Sequence, residues 1–252
     1  MLEIIQKMGE FQHKNFRTEI DFETKAGPMD TVSFVDRESE KMFIAAVNDK
    51  FPGDVIMGEE TYDPIYNYKQ HEKLWIIDPL DGTLMYQRWI PFYGPMIAYV
   101  ENWKVQYSAI FFPEMNELYY ADNSWAYRNN KKIHVSSEKN ISKGLFRISQ
   151  NMARRPLPDL QKKEQFSLSL GQQVDFYTWW YGFSLCAAWS IDGDMFYPKI
   201  GNIWDTIPGW FLVQQAGGTV TNFWSDSWDI FNPKVIISNG HIHAEFQKLL
   251  ES

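Results

Sequence analysis

Trp75-Ile76-Ile77-Asp78-Pro79-Leu80-Asp81-Gly82-Thr83 runs from three apolar residues into two carboxylates and a Gly-Thr pair. The aromatic and β-branched residues Trp75 to Ile77 predict a short buried strand. Pro79 has no N–H for a ladder, so the strand is expected to stop at Asp78. The chain then turns through Asp81-Gly82, and Thr83 opens a helix reaching Arg88. Two carboxylates therefore stand at a strand end beside the N–H groups of a helix start. That is a place for a cation, and for an anion held between cation and helix. A plain Asp-Gly turn with a capped helix is the alternative.

Outward from this stretch, alternation and turn residues predict an antiparallel meander over Met96 to Val100, Val105 to Phe112 and Leu118 to Ala121. Upstream, Met1 to Glu10 is a short amphipathic helix and Phe22 to Val35 a hairpin around Gly27-Pro28. A helix starts at Asp36 and is stopped by Phe51-Pro52-Gly53, and Asp36 reads there as a cap. Asp54 to Met57 is a strand ending at Gly58-Glu59-Glu60, and Tyr62 to Lys73 a polar loop. Lys131 to Ser142 connects an N-terminal half, about 1–131, to a C-terminal half, about 132–252, of one domain.

The second half reads as strand Gly144–Ser149, helix Leu157–Leu170, strand Val174–Trp179, helix Phe183–Ile191 and strand Met195–Tyr197. A helix opened by Trp204-Asp205-Thr206 then closes at Gly217-Gly218. Strands Thr219–Asn222 and Val235–Ser238 and a helix His241–Leu250 complete the chain, with His241 and His243 read as solvated residues. The β-α-β-α order gives an α/β layer. The run Phe176, Tyr177, Trp179, Trp180, Tyr181, Phe183 reads first as core or subunit packing, with a ligand-stacking wall as the alternative.

The chain has 252 residues, a formal net charge of −8, 44% hydrophobic residues and one cysteine, Cys186. An acidic chain whose short basic pairs are scattered argues against duplex nucleic-acid binding. It still suits a phosphorylated ligand if metal ions invert the local charge. No apolar run is long enough to span a bilayer and the N-terminus lacks a secretory h-region. A buried lone thiol and a cytoplasmic location are expected.

Together these pieces resemble the inositol monophosphatase family across nearly the whole chain. The resemblance rests on Lys25 followed by Val35-Asp36, on Gly58-Glu59-Glu60, on Trp75 to Thr83, and on Trp204-Asp205 with Ala216-Gly217-Gly218. It implies a layered α-β-α-β-α sandwich, a homodimer, and lithium-sensitive hydrolysis of phosphomonoesters with two or three Mg²⁺ ions. The resemblance makes Glu59, Asp78 and the Leu80 carbonyl ligands of the first ion, and Asp78, Asp81 and Asp205 ligands of the second. Asp36 and Glu59 help to hold a third through water. Gly82 and Thr83 cradle the phosphate with their N–H groups, and Lys25 supports the acidic shell or the third ion site, with a surface salt bridge as the alternative. Water attacks directly, oriented by Thr83 and Glu59, with Glu59 or Asp36 taking the proton. A different phosphatase class carries D-x-D-G-T with a nucleophilic aspartate where Pro79 stands here, so an aspartyl-phosphate is disfavoured.

The substrate side departs from the family pattern. Pro198 stands where inositol-selective members place a glutamate. Trp179-Trp180-Tyr181-Gly182-Phe183-Ser184 replaces R-x-x-G-[ST], leaving Gly182 and Ser184 as the matching substrate-side positions. Inositol monophosphate or a related sugar or polyol phosphate is the default substrate. Histidinol phosphate, fructose 1,6-bisphosphate and 3′-phosphoadenosine 5′-phosphate are the alternatives, and a non-catalytic binding protein on the same fold is the alternative of another class.

Overall fold

The computed structural model describes residues 1–27, 30–150, 181–197, 202–222, 230 and 235–251. The expected helix Leu157–Leu170, the strand Val174–Trp179, Trp180 and Pro198 lie outside the described residues.

Helix α1 (Leu2–Asn15) is followed by a hairpin of β1 (Phe22–Gly27) and β2 (Asp30–Ser33), then by α2 (Phe34–Lys50). A mixed sheet takes β3 (Val55–Gly58), β4 (Lys73–Asp81), β5 (Gly94–Glu101), β6 (Lys104–Phe112), β7 (Glu117–Asp122), β8 (Ala126–Arg128) and β9 (Lys131–Lys132) in that order. Within this sheet β3 and β4 pair in parallel, and the other strands form the expected meander, prolonged by β8 and β9. Helix α3 (Thr83–Gln87) sits between β4 and β5. The second sheet joins β10 (Phe146–Gln150), β11 (Gly193–Tyr197), β13 (Val235–Ser238) and β12 (Thr219–Asn222) in that spatial order. It is accompanied by α4 (Tyr181–Ala187), α5 (Ile207–Gln215) and α6 (His243–Glu251).

Side-chain alternation along β4 and β13 sets the layers. Trp75 and Ile77 pack with Ile5 and Met8 of α1 and Phe43 and Val47 of α2. Ile76 faces the opposite way, into a core shared with Trp210 and Leu212 of α5, Cys186 of α4 and Val235 and Ile237 of β13. On the far face of the second sheet Phe146 stacks on Phe246 of α6, ring centroids 4.9 Å apart. The result is the α-β-α-β-α sandwich, with Cys186 buried as expected. Among the described residues no helix is long and apolar enough to cross a membrane.

Several boundaries differ from expectation. Strand β4 does not stop at Asp78; it continues to Asp81 through a register irregularity between those residues. Parallel pairing with β3 ends at Gly58 opposite Ile77, so Pro79 lies where that side of β4 makes no ladder. Helix α2 starts at Phe34 rather than Asp36, because Ser33 caps it: the Ser33 side chain accepts from Val35 N–H, and Asp36 reaches back to the Ser33 N–H at 2.8 Å. Helix α4 ends at Ala187 rather than Ile191, with Trp189 in the left-handed region (φ 73°) just beyond. Helix α5 begins at Ile207, so Asp205 stands on the approach to it.

His243 is not solvated. It is buried, and its two ring nitrogens meet the hydroxyls of Ser238 (2.9 Å) and Thr221 (3.0 Å) on the second sheet.

Candidate active site

Parallel pairing of β3 with β4 is what brings the first two acids together. The Glu59 N–H donates to the Ile77 carbonyl at 3.2 Å, so Glu59 leaves β3 beside the point where Asp78 follows Ile77. Asp78 is 3% exposed, and its Oδ1 accepts the Leu80 N–H at 3.1 Å, tightening the turn that carries Leu80 and Asp81. Gly82 then needs its glycine. Its φ is +82°, and a Cβ there would stand 2.7 Å from the Phe92 carbonyl oxygen.

Thr83 opens α3, and its hydroxyl lies 2.9 Å from Asp36 Oδ1 and 3.0 Å from the Leu80 carbonyl. One hydroxyl hydrogen is thus shared between a buried carboxylate of α2 and the turn after Asp78. Lys25 of β1 reaches across to Glu59 (2.9 Å) and Glu60 (2.5 Å), half-covered with them rather than forming a free surface pair. From the C-terminal half, Asp205 joins the group; its Oδ2 accepts the Asn202 N–H at 3.2 Å.

The electrostatics of these positions are those of acids facing acids. Burial raises the Asp78 carboxyl well above its ordinary value, and the charges of Glu59, Asp81 and Asp205 raise it further. Burial and then Glu59 do the same to Asp205, against the Asn202 N–H. Burial pushes Asp36 up to about 6 despite its hydrogen bonds from Ser33. Glu60 is pushed up to about 7 by burial and by Glu59, with Lys25 opposing. Burial alone would lower the Lys25 ammonium, but Glu59 and Glu60 outweigh it and hold it above its ordinary value.

Among the described residues no three acidic, thiol or imidazole side chains are already drawn together as a metal cage. The carboxylates are instead held by Lys25, by Thr83 and by backbone N–H groups. The donor set itself is all oxygen: carboxylates on four segments (Asp36, Glu59, Asp78 with Asp81, and Asp205) and the Leu80 carbonyl. That chemistry fits a hard divalent cation, whose charge would offset the mutual repulsion.

Lys25, Asp36, Glu59, Asp78, Leu80, Asp81, Gly82, Thr83 and Asp205 therefore occupy one neighbourhood. Ser184 is different: it is buried inside α4, its Oγ has no hydrogen-bond partner, and no hydrogen bond joins it to the acids. Gly182 lies on the same helix. Two residues were not anticipated. Glu40 on α2 and Gln12 on α1 are buried, and both bind backbone of the acidic strand ends. Only Glu40 had a local signal, standing four residues after Asp36 and so on the same helix face.

Comparison with known proteins places this layered sandwich among the phosphatases. The sequence pattern of the inositol monophosphatase family matches residues 2–252. The chain belongs to that family and is a phosphoric monoester hydrolase. It is 29% identical over 254 residues to a fructose-1,6-bisphosphatase/inositol-1-monophosphatase of Thermotoga maritima, covering 99% of this chain and 93% of that one. A solved Thermotoga maritima IMPase superposes with a TM-score of 0.86 at 26% identity, covering 99% and 94% of the two chains. An IMPase/NADP phosphatase complexed with Mg²⁺ and phosphate shares the fold at 19% identity and a TM-score of 0.85, covering 100% of this chain and 96% of that one.

Proposed function

We propose that this chain hydrolyses a small phosphorylated polyol or sugar by direct attack of water, with two or three Mg²⁺ ions held by its acidic strand ends. The observation that carries the reading is Asp78, buried among Glu59, Asp81 and Asp205 so that each charge raises its carboxyl. Glu59, Asp78 and the Leu80 carbonyl would hold one ion, Asp78, Asp81 and Asp205 a second, and Asp36 with Glu59 a third. Mg²⁺ bound there supplies the positive charge that favours both attacking and leaving oxygens of an in-line displacement.

The chain's own groups do the rest. Thr83, already hydrogen-bonded to Asp36, orients the attacking water. Asp36 or Glu59 takes its proton. The Gly82 and Thr83 N–H groups receive phosphate oxygens, and Lys25 steadies Glu59. The fructose-bisphosphatase activity in the relative's name favours sugar and polyol phosphates, while Pro198 removes the acceptor expected of a strictly inositol-selective pocket. A homodimer in the cytoplasm, with lithium sensitivity, completes the reading.

The test is phosphate release with Mg²⁺ over inositol monophosphates, fructose 1,6-bisphosphate, histidinol phosphate and 3′-phosphoadenosine 5′-phosphate, alongside thermal melting with and without Mg²⁺. A sugar or polyol phosphate is expected to be preferred. Preference for histidinol phosphate or the nucleotide overturns the substrate class. Absence of release from every compound, with Mg²⁺ raising the melting temperature, overturns hydrolysis in favour of a metal-dependent binder.

A further inference from the structure

Helix α2 turns three consecutive polar contacts toward the acidic centre. Asp36, Ser39 and Glu40 are all buried, at the i, i+3 and i+4 spacing that shares a helix face. Asp36 takes the Thr83 hydroxyl, which also meets the Leu80 carbonyl. Ser39 Oγ accepts from Gln12 Nε2 at 3.1 Å, and the same nitrogen donates to the Pro79 carbonyl at 2.7 Å. Glu40 Oε2 accepts the Glu60 N–H at 2.9 Å, with Thr61 beside the same carboxylate. Under it lies Gly58, where a Cβ would stand 2.5 Å from the Glu40 carboxylate.

Glu59 is therefore flanked on both sides by residues seated on Glu40: Gly58 by close approach, Glu60 by a hydrogen bond. The strand end that carries Asp78 is held by the neighbouring positions of the same helix. A rigid helix thus registers one acidic strand end against the other.

We propose that Glu40 is a positioning residue for divalent-cation binding, fixing the Gly58–Glu60 turn so that Glu59 stands at ligand distance from the Asp78 turn. Glu40 itself touches neither ion nor substrate; its action is through Glu59. The role rests on the Mg²⁺-dependent reading above. Outer residues that orient metal ligands typically change affinity by about 10- to 100-fold when removed.

The experiment titrates Mg²⁺ alone into the full chain, following the melting temperature and calorimetric binding, for the parent, Glu40→Gln, Glu40→Asp and Glu40→Ala. Glu40→Gln keeps an acceptor at full length and is expected to bind Mg²⁺ nearly as the parent does. Glu40→Asp withdraws the carboxylate from the Glu60 N–H, and Glu40→Ala removes it. Both are expected to raise the half-saturating Mg²⁺ concentration by about 10-fold or more, while KM at saturating Mg²⁺ stays near parental. A purely structural Glu40 would lower the melting temperature in chelator and leave half-saturation unchanged, which overturns the proposal. If Glu40→Ala does not fold, Glu40→Asp decides alone. A parent that ignores Mg²⁺ overturns the functional reading, and this role with it; a responsive parent matched by Glu40→Asp overturns this role only.

Discussion

Asp78 and Asp192 are the same residue type at similar burial, 3% and 8% exposed, yet their surroundings are opposite. Asp192 is surrounded by donors. Ser136 Oγ donates to its Oδ1, the Leu145 N–H reaches its Oδ2 at 2.7 Å, and Asn239 steadies Ser136 at 2.8 Å. Asp78 is surrounded by acids, with the Leu80 N–H the donor on its Oδ1. Burying a charge is costly unless it is paired and hydrogen-bonded. The fold meets that condition at Asp192, where the carboxylate ties the connection after β9 to the second sheet. It withholds it at Asp78. On the proposed function, a chain able to satisfy a buried aspartate, and which leaves another facing like charges, carries the second for chemistry rather than for stability.

The same substitution at the two positions is the most direct way to break that contrast. Asp78→Asn should lower Mg²⁺-dependent turnover by roughly 10³-fold or more, since it removes a ligand from both proposed ions. In chelator it should melt no lower than the parent, because a repelled charge has gone. Retained turnover, or marked destabilisation in chelator, would sink the assignment of Asp78 as a ligand. Asp192→Asn should do the reverse. Its NH2 must face either the Leu145 N–H or the Ser136 hydroxyl, which already accepts from Asn239, so one of the two donor contacts is lost. The cost should be about 2 kcal/mol, or roughly 5 °C of melting temperature. Turnover well below the melting point should be unaffected. An Asp192→Asn protein of parental stability would show that the two aspartates are not opposites.

The half of the contrast that was legible in the sequence is the acidic half, and the reason is locality. Trp75 to Thr83 carries its strand, turn and helix start within nine residues, and apart from the strand end at Pro79 each step follows from side-chain branching or a glycine. The meander was legible for the same reason. What escaped reading depends on partners far along the chain. Gln12 meets Pro79 across 67 positions, and Asn239 meets Ser136 across 103. His243 follows Gly240-His241-Ile242 and looks like any helix-start histidine until Ser238 and Thr221 close over its ring. Pro79 was misjudged because a proline ends a central strand but not a strand whose partner has already stopped. Nothing local to Pro79 says where β3 ends.

Thr83→Ala sharpens the contrast at smaller cost, since it leaves every carboxylate in place. Losing the hydroxyl that contacts Asp36 and would orient the attacking water should lower kcat by about 100-fold. KM should move much less, because the lost contact is made in the transition state. A rise in KM with kcat preserved would instead place Thr83 in ground-state binding.

The smallest effect is carried by pH, and its sign reports on the acidic centre without any substitution. A carboxyl whose folded value lies above its unfolded one contributes stability that is complete below the unfolded value and lost as pH rises through the folded one. Asp36, at about 6, and Glu60, at about 7, fall in that class, and Asp78 and Asp205 are shifted in the same direction. In chelator the melting temperature should therefore fall by several degrees between about pH 5 and pH 8. Mg²⁺ needs its proposed ligands Asp36, Asp78 and Asp205 ionised, so its stabilising increment should grow over the same interval and offset the decline. A chelated protein whose melting temperature is flat or rising across that range would mean that the acids of the centre are compensated by their hydrogen bonds and by Lys25. The division between a structural and a chemical aspartate would then fail at its source, whatever the turnover of Asp78→Asn.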